Sequence, residues 1–67
     1  MSSTRERIES YIKTRISEAR EKVIEIVCED LVRGLNIAPT TCYMYLKIVC
    51  KDIGGKYDRG KCIVIKT

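Results

Sequence analysis

The stretch EDLVRGLNIAPTTCYMYLK (residues 29–47) carries the signals that decide the fold: a short helical pattern, a turn and the start of another helix. The first pattern ends in RGLN, where Asn36 suits the left-handed conformation that closes a helix. Pro39 tolerates the first position of a helix because its missing N–H would have no partner there. The stretch therefore predicts two helices joined by a tight turn.

The helix that begins at Pro39 should run to about Ile53, where Gly54 and Gly55 stop it. Apolar residues spaced three and four apart form its core face: Cys42, Leu46, Val49 and Ile53, flanked by Tyr45 and Cys50. The opposite face presents polar, basic and amphipathic side chains: Thr40, Tyr43, Met44, Lys47 and Lys51. Such a face can enter a major groove and place side chains on base edges and phosphates.

The segment KYDRGKCIVIK (residues 56–66) has β-rich ends around Asp58, Arg59 and Gly60, a composition typical of a turn. We therefore predict a hairpin in which residues 61–66 form the stronger strand.

Residues 4–27 show helical periodicity in their apolar positions: Ile8, Ile12, Ile16, Ala19, Val23 and Ile26. They predict one amphipathic helix, or two if Ser17 caps a second one. From Ile24 onwards the apolar face changes, which predicts a bend or break near residues 27–30. A 20-residue stripe is about 30 Å long. Since one small domain does not need so long an apolar stripe, we expect a homodimer formed through this helix.

Charge is distributed unevenly along the chain, whose net charge is +4. Residues 1–36 hold seven basic and seven acidic side chains, whereas residues 37–67 hold six basic ones against Asp52 and Asp58. A neutral half joined to a basic half is expected of a scaffold that carries a phosphate-facing surface. Taken alone, Lys47 and Lys51 also fit an ordinary solvated helix face, and Tyr43 fits either a groove contact or plain surface.

The four cysteines, Cys28, Cys42, Cys50 and Cys62, are 14, 8 and 12 residues apart, and the chain has no histidine. This spacing lacks the short knuckle of a zinc site, so we expect no metal. Cys42 fits a small buried hydrophobe, and a disulfide somewhere among the four stays open because sequence gives no pairing. The Ile-, Lys- and Glu-rich, amide-poor composition favours a thermophile, in which intracellular disulfides are common.

Other classes of protein receive little support from the sequence. There is no apolar run of about 18 residues, and charges stand where a secretion signal needs hydrophobic residues. We therefore expect a soluble, cytoplasmic protein with no membrane contact. With no histidine, no glycine-rich phosphate loop and no nucleophile beside a base, we also expect neither catalysis nor a cofactor.

The stretch quoted first resembles a helix-turn-helix unit. Val32 stands at the apolar position inside the first helix, Asn36 in the turn where Gly is usual, and Ile37 at the apolar turn position. Thr41 and Cys42 replace the usual Thr-Val pair at the start of the recognition helix. With the basic hairpin that follows, the whole chain resembles the winged-helix subclass found in small archaeal transcription regulators, including those of plasmids and viruses.

The resemblance implies a mainly α fold with a small β-hairpin, in one winged-helix domain over residues 1–67. Its parts would be a long N-terminal amphipathic helix or helices (1–27), the helix-turn-helix (28–53) and the wing hairpin (54–67).

The resemblance also implies sequence-selective or shape-selective binding of double-stranded DNA and a role in transcription regulation. Thr40, Tyr43, Met44 and Lys47 would face bases or nearby phosphates, with Lys51 on the backbone. The wing would contact an adjacent groove or phosphates through Lys56, Arg59 and Lys61. The alternative is a protein-interaction module of the same fold inside a larger assembly, with no DNA contact of its own.

Overall fold

The computed structural model describes residues 3–66, which form three helices and three strands. In chain order they are α1 (Thr4–Glu18), β1 (Val23–Val27), α2 (Cys28–Leu35), α3 (Pro39–Asp52), β2 (Lys56–Asp58) and β3 (Lys61–Ile65). The domain is therefore mixed α/β, with a third strand that the mainly α prediction did not include. Met1, Ser2 and Thr67, which the predicted domain also contained, lie outside the described residues.

The N-terminal helix is shorter than predicted. A capping box starts it: the Ser3 hydroxyl accepts from the Glu6 N–H, and the Glu6 carboxylate accepts from the Ser3 N–H. It ends at Glu18, so the predicted helical region over residues 1–27 is wrong in its last part. The segment VIEIV fits an alternating pattern as well as a helical one, and its β-branched residues favour a strand once a partner is available.

That partner is β3, which lies between β1 and β2 in an antiparallel sheet of order β1-β3-β2. The register places Ile24 opposite Val64 and Ile26 opposite Cys62, and all four side chains are buried. The break predicted near residues 27–30 coincides with the passage from β1 to α2 at Cys28.

The predicted hairpin is confirmed. Asp58 and Lys61 face each other across a two-residue turn in which Arg59 has φ 49° and Gly60 has φ 80°. Two successive residues with positive φ are typical of a type I′ turn, whose twist matches that of the flanking strands. The hairpin joins the domain through β3, its longer strand.

The turn and helix predicted from residues 29–47 are also confirmed. Asn36 closes α2 with φ 53° and ψ 50°, Pro39 is in the first turn of α3, and Gly54 follows the end of α3 with φ 81°. Ala38 caps α3 without a side-chain hydrogen bond. One core of apolar side chains and cysteines lies between the helices and the sheet.

Two disulfides cross-link this core, Cys28–Cys42 and Cys50–Cys62, with Cα separations of 5.9 and 5.7 Å. The first joins the start of α2 to α3, and the second joins α3 to β3. Both therefore hold α3 in place. In a chain this short, where about 40% of the unfolded surface stays exposed on folding, such cross-links supply support that the core alone rarely provides.

The N-terminal helix lacks the long unburied apolar stripe from which a homodimer was expected. With 15 residues, α1 is about 22 Å long at 1.5 Å per residue. Its stripe residues Ile8 and Ile12 are completely buried within the chain itself.

Among residues 3–66, no helix has the length and apolarity needed to cross a bilayer.

Candidate nucleic-acid interface

The outward face of α3 is the centre of the candidate interface. The opposite face of the helix is anchored by residues with no exposed surface: Cys42, Leu46, Val49 and Cys50. The residues predicted to face DNA are all exposed: Thr40, Tyr43, Met44, Lys47 and Lys51. The structure therefore leaves this side of α3 accessible along its whole length.

Contacts at several points restrain the orientation of α3. The disulfides attach it to α2 near its start and to β3 near its end. Asp52, in the last turn, forms an ion pair with Arg5 of α1. A helix held at both ends offers its outer side chains in a fixed geometry, which lowers the entropy lost on binding.

Tyr43 lies against the turn of the hairpin. A Cβ atom built on Gly60 would come within 2.8 Å of Cε1 of Tyr43, closer than such atoms normally approach. The Tyr43 side chain is 50% exposed, so one side of it packs on the turn and the rest stays accessible. This contact places Arg59, the neighbour of Gly60, beside α3.

Replacing Gly60 with Ala should lower the free energy of unfolding by about 1–3 kcal/mol. The new methyl group would collide with the Tyr43 ring, and the alanine would have to adopt a positive φ, which is unfavourable for residues other than glycine. Gly54 is the matched control: it has almost the same φ, 81°, but nothing within 4 Å of a built Cβ. Gly54→Ala should cost only the backbone strain, about 1 kcal/mol. Urea unfolding of the two variants measures the difference, and equal losses would mean that the contact between Tyr43 and the turn contributes nothing measurable to stability.

The other hairpin cations lie on a different surface. Cys62 and Val64 of β3 point into the core, so Lys61 points to the outer face of the sheet. Lys56 lies on that same outer face, next to Ile63 in the register. The structure thus brings Arg59 next to α3 but leaves Lys56 and Lys61 on the side of the sheet away from it.

Ion pairs engage most of the cations on α1 and α2, whereas Arg20 and Lys22, between α1 and β1, form none within residues 3–66. Four pairs engage cations of the first half of the chain: Arg5–Asp52, Lys13–Glu9, Arg15–Asp30 and Arg33–Glu29. Arg7 donates to the carbonyl oxygen of Leu35 at 2.7 Å. A hydrogen bond to the Tyr11 hydroxyl, with smaller contributions from Asp30, raises the pKa of the Arg15 guanidinium, so this residue stays charged.

The five cations of α3 and the hairpin differ from the cations of α1 and α2 because they have no carboxylate partners among the described residues. Within residues 3–66, no ion pair involves Lys47, Lys51, Lys56, Arg59 or Lys61. One of the two carboxylates in this half of the chain, Asp52, is already occupied by Arg5. The positive charge of α3 and the hairpin is therefore left largely uncompensated, which attracts polyanions.

Sequence reasoning missed one residue of this surface, Ile48. Its side chain is 41% exposed, and it follows Met44, which is 58% exposed, by one helical turn. The spacing of four residues was the available signal, since it places Ile48 beside Met44 and away from the buried face.

Comparisons with protein-family models, curated proteins and solved structures found none that matches this chain.

Proposed function

We propose that this chain is a small winged helix-turn-helix protein that binds double-stranded DNA and regulates transcription. The element order supports this proposal: α2, a tight turn and α3 form the helix-turn-helix, and the hairpin β2–β3 forms the wing. The additional strand β1 pairs with β3 and so attaches the wing to the helices.

The observation that carries the proposal is the set of cations without ion-pair partners on α3 and the hairpin. Surface lysines often lie near carboxylates, and in this domain the cations of α1 and α2 mostly do. A basic surface without acidic partners suits phosphate binding, because each Lys or Arg that binds a phosphate releases a counterion condensed on the DNA.

In this arrangement α3 enters the major groove, which is about 12 Å wide and accepts a helix. Lys47 and Lys51 contact the phosphates that border the groove, while Thr40 and Met44 face the bases. Arg59 reaches the backbone from the hairpin turn beside Tyr43. Lys56 and Lys61 lie on the outer face of the sheet, away from α3, and take no part in this contact.

A homodimer through the N-terminal helix is not part of this proposal, because Ile8 and Ile12 are buried within the chain. We also infer a cytoplasmic location in a thermophilic archaeon. The Ile-, Lys- and Glu-rich composition supports a thermophilic source, and the two disulfides are compatible with a cytoplasmic location only in such an organism.

The second candidate function is a protein-interaction module with no DNA contact. Exposed large apolar side chains favour it: Val23, Tyr43, Met44, Ile48 and Ile65. Exposed apolar side chains of this kind often mark protein-docking sites. Added salt weakens phosphate contacts by screening charge but does not weaken apolar contacts in this way.

Binding to short mixed-sequence duplexes, measured by fluorescence anisotropy over a range of salt concentrations, tests the proposal. If Lys47, Lys51 and Arg59, the cations on or beside α3, each neutralise one phosphate, the plot of log K against log salt should have a slope of about −3. Absence of binding at low salt would reject DNA binding and favour the interaction module. Binding without salt dependence would reject phosphate contact.

A further inference from the structure

Met44 and Ile48 form an exposed apolar stripe in the middle of the basic face of α3. Their side chains are 58% and 41% exposed. Residues four apart on a helix lie side by side, about 6 Å apart at Cβ. Lys47 and Lys51 border one edge of the stripe, and Asp52, which pairs with Arg5, follows Ile48 by one helical turn.

The stripe has no role in the core. The buried face of α3 is filled by Cys42, Leu46, Val49 and Cys50, which have no exposed surface. Leaving two large apolar side chains in water at the centre of a binding face is unfavourable unless something covers them in the complex.

The major groove offers few partners for such side chains. Its base edges present hydrogen-bond donors and acceptors, and the C5-methyl group of thymine is the apolar exception. Guanine is usually read by Arg or Lys and adenine by Asn or Gln, and between Pro39 and Asp52 only the two lysines belong to this set. The lysines that border the stripe suit phosphates, so the apolar pair is the part of α3 best suited to distinguish bases.

We propose that Met44 and Ile48 recognise thymine methyl groups, so that the chain prefers A·T-rich major grooves. This inference rests on the proposed DNA binding and assigns the base chemistry that α3 reads. The thymine methyl group packs against the two apolar side chains, and the removal of this apolar surface from water stabilises the complex without a hydrogen bond.

Uracil provides the test, because it pairs with adenine as thymine does but lacks the methyl group. Short duplexes of alternating dA-dT and alternating dA-dU should differ in affinity by about fourfold for each methyl group covered, and by about 15-fold for two. Alternating sequences present the methyl group in every register, so no operator needs to be known. Affinities are measured at one low salt concentration.

The variant Met44→Ala with Ile48→Ala should bind both duplexes equally, at about the affinity of the unmodified chain for the uracil duplex. The matched control is Val23→Ala with Ile65→Ala, which removes two exposed apolar side chains that face each other in the sheet. The control should keep the full preference for thymine. Circular dichroism and thermal unfolding verify that both variants are folded.

The outcomes separate this inference from the proposed function. Salt-dependent binding with equal affinity for thymine and uracil duplexes overturns methyl recognition and leaves DNA binding in place. A thymine preference that survives in the Met44→Ala, Ile48→Ala variant also overturns it, because the preference then comes from duplex shape. Absence of binding to either duplex removes both, and the apolar stripe then belongs to a protein-docking surface.

Discussion

Reduction of both disulfides is expected to unfold the domain at moderate temperature. Cys28–Cys42 and Cys50–Cys62 close segments with sequence separations of 14 and 12 residues. Closing loops of that length restricts the unfolded chain enough to contribute about 3 kcal/mol each. In a chain of this size the core rarely supplies more than about 3–5 kcal/mol. Losing both cross-links would therefore remove most of the stability.

Thermal unfolding with and without a thiol reductant measures this effect. Removing one disulfide, by Cys28→Ala with Cys42→Ala or by Cys50→Ala with Cys62→Ala, should lower Tm by more than about 10 °C. Alanine is chosen because all four positions are buried and a serine hydroxyl would lack a partner.

The chain with all four cysteines replaced by alanine is the control, and its circular dichroism spectrum should be the same with and without reductant. Peptide mapping without reductant reports the pairing directly. An unchanged Tm of the unmodified chain in reductant would contradict the stabilising role of the disulfides.

Replacing Lys47 and Lys51 with Ala should cause the largest loss of DNA affinity among surface variants. Each lysine that contacts a phosphate contributes about 0.9 to the salt slope, so the slope should become less negative by about 1.8. At 0.1 M salt this corresponds to a roughly 60-fold weaker association. The loss should be similar on all sequences, because phosphate contacts carry no base information.

Lys13→Ala with Lys22→Ala is the matched control, since it removes the same charge from exposed positions outside α3 and the hairpin. It should change the slope little. Equal losses in both double variants would show that net charge alone governs binding, and the interface would then not be centred on α3. Stability should be nearly unaffected in both, because none of the four side chains is buried.

Much of the candidate site follows from local sequence signals. The outward positions on α3 follow from helical periodicity, because the buried face of a helix leaves only the opposite side for polar residues. The position of Arg59 follows from the turn, since an Arg-Gly pair between β-rich segments fits a two-residue hairpin loop. The contact between Tyr43 and Gly60 could not be predicted, because it depends on how α3 and the hairpin pack together.

By itself, the sequence determined the features that depend on neighbouring residues: the left-handed Asn36 turn, the start of α3 at Pro39, its end at Gly54 and the hairpin turn. These follow from backbone sterics and short-range periodicity, which act within a few residues. Only the tertiary structure decided that Val23–Val27 is a strand, because its pairing partner lies about 40 residues away. It also selected one of the three possible cysteine pairings, since packing brings together thiols that are distant in sequence.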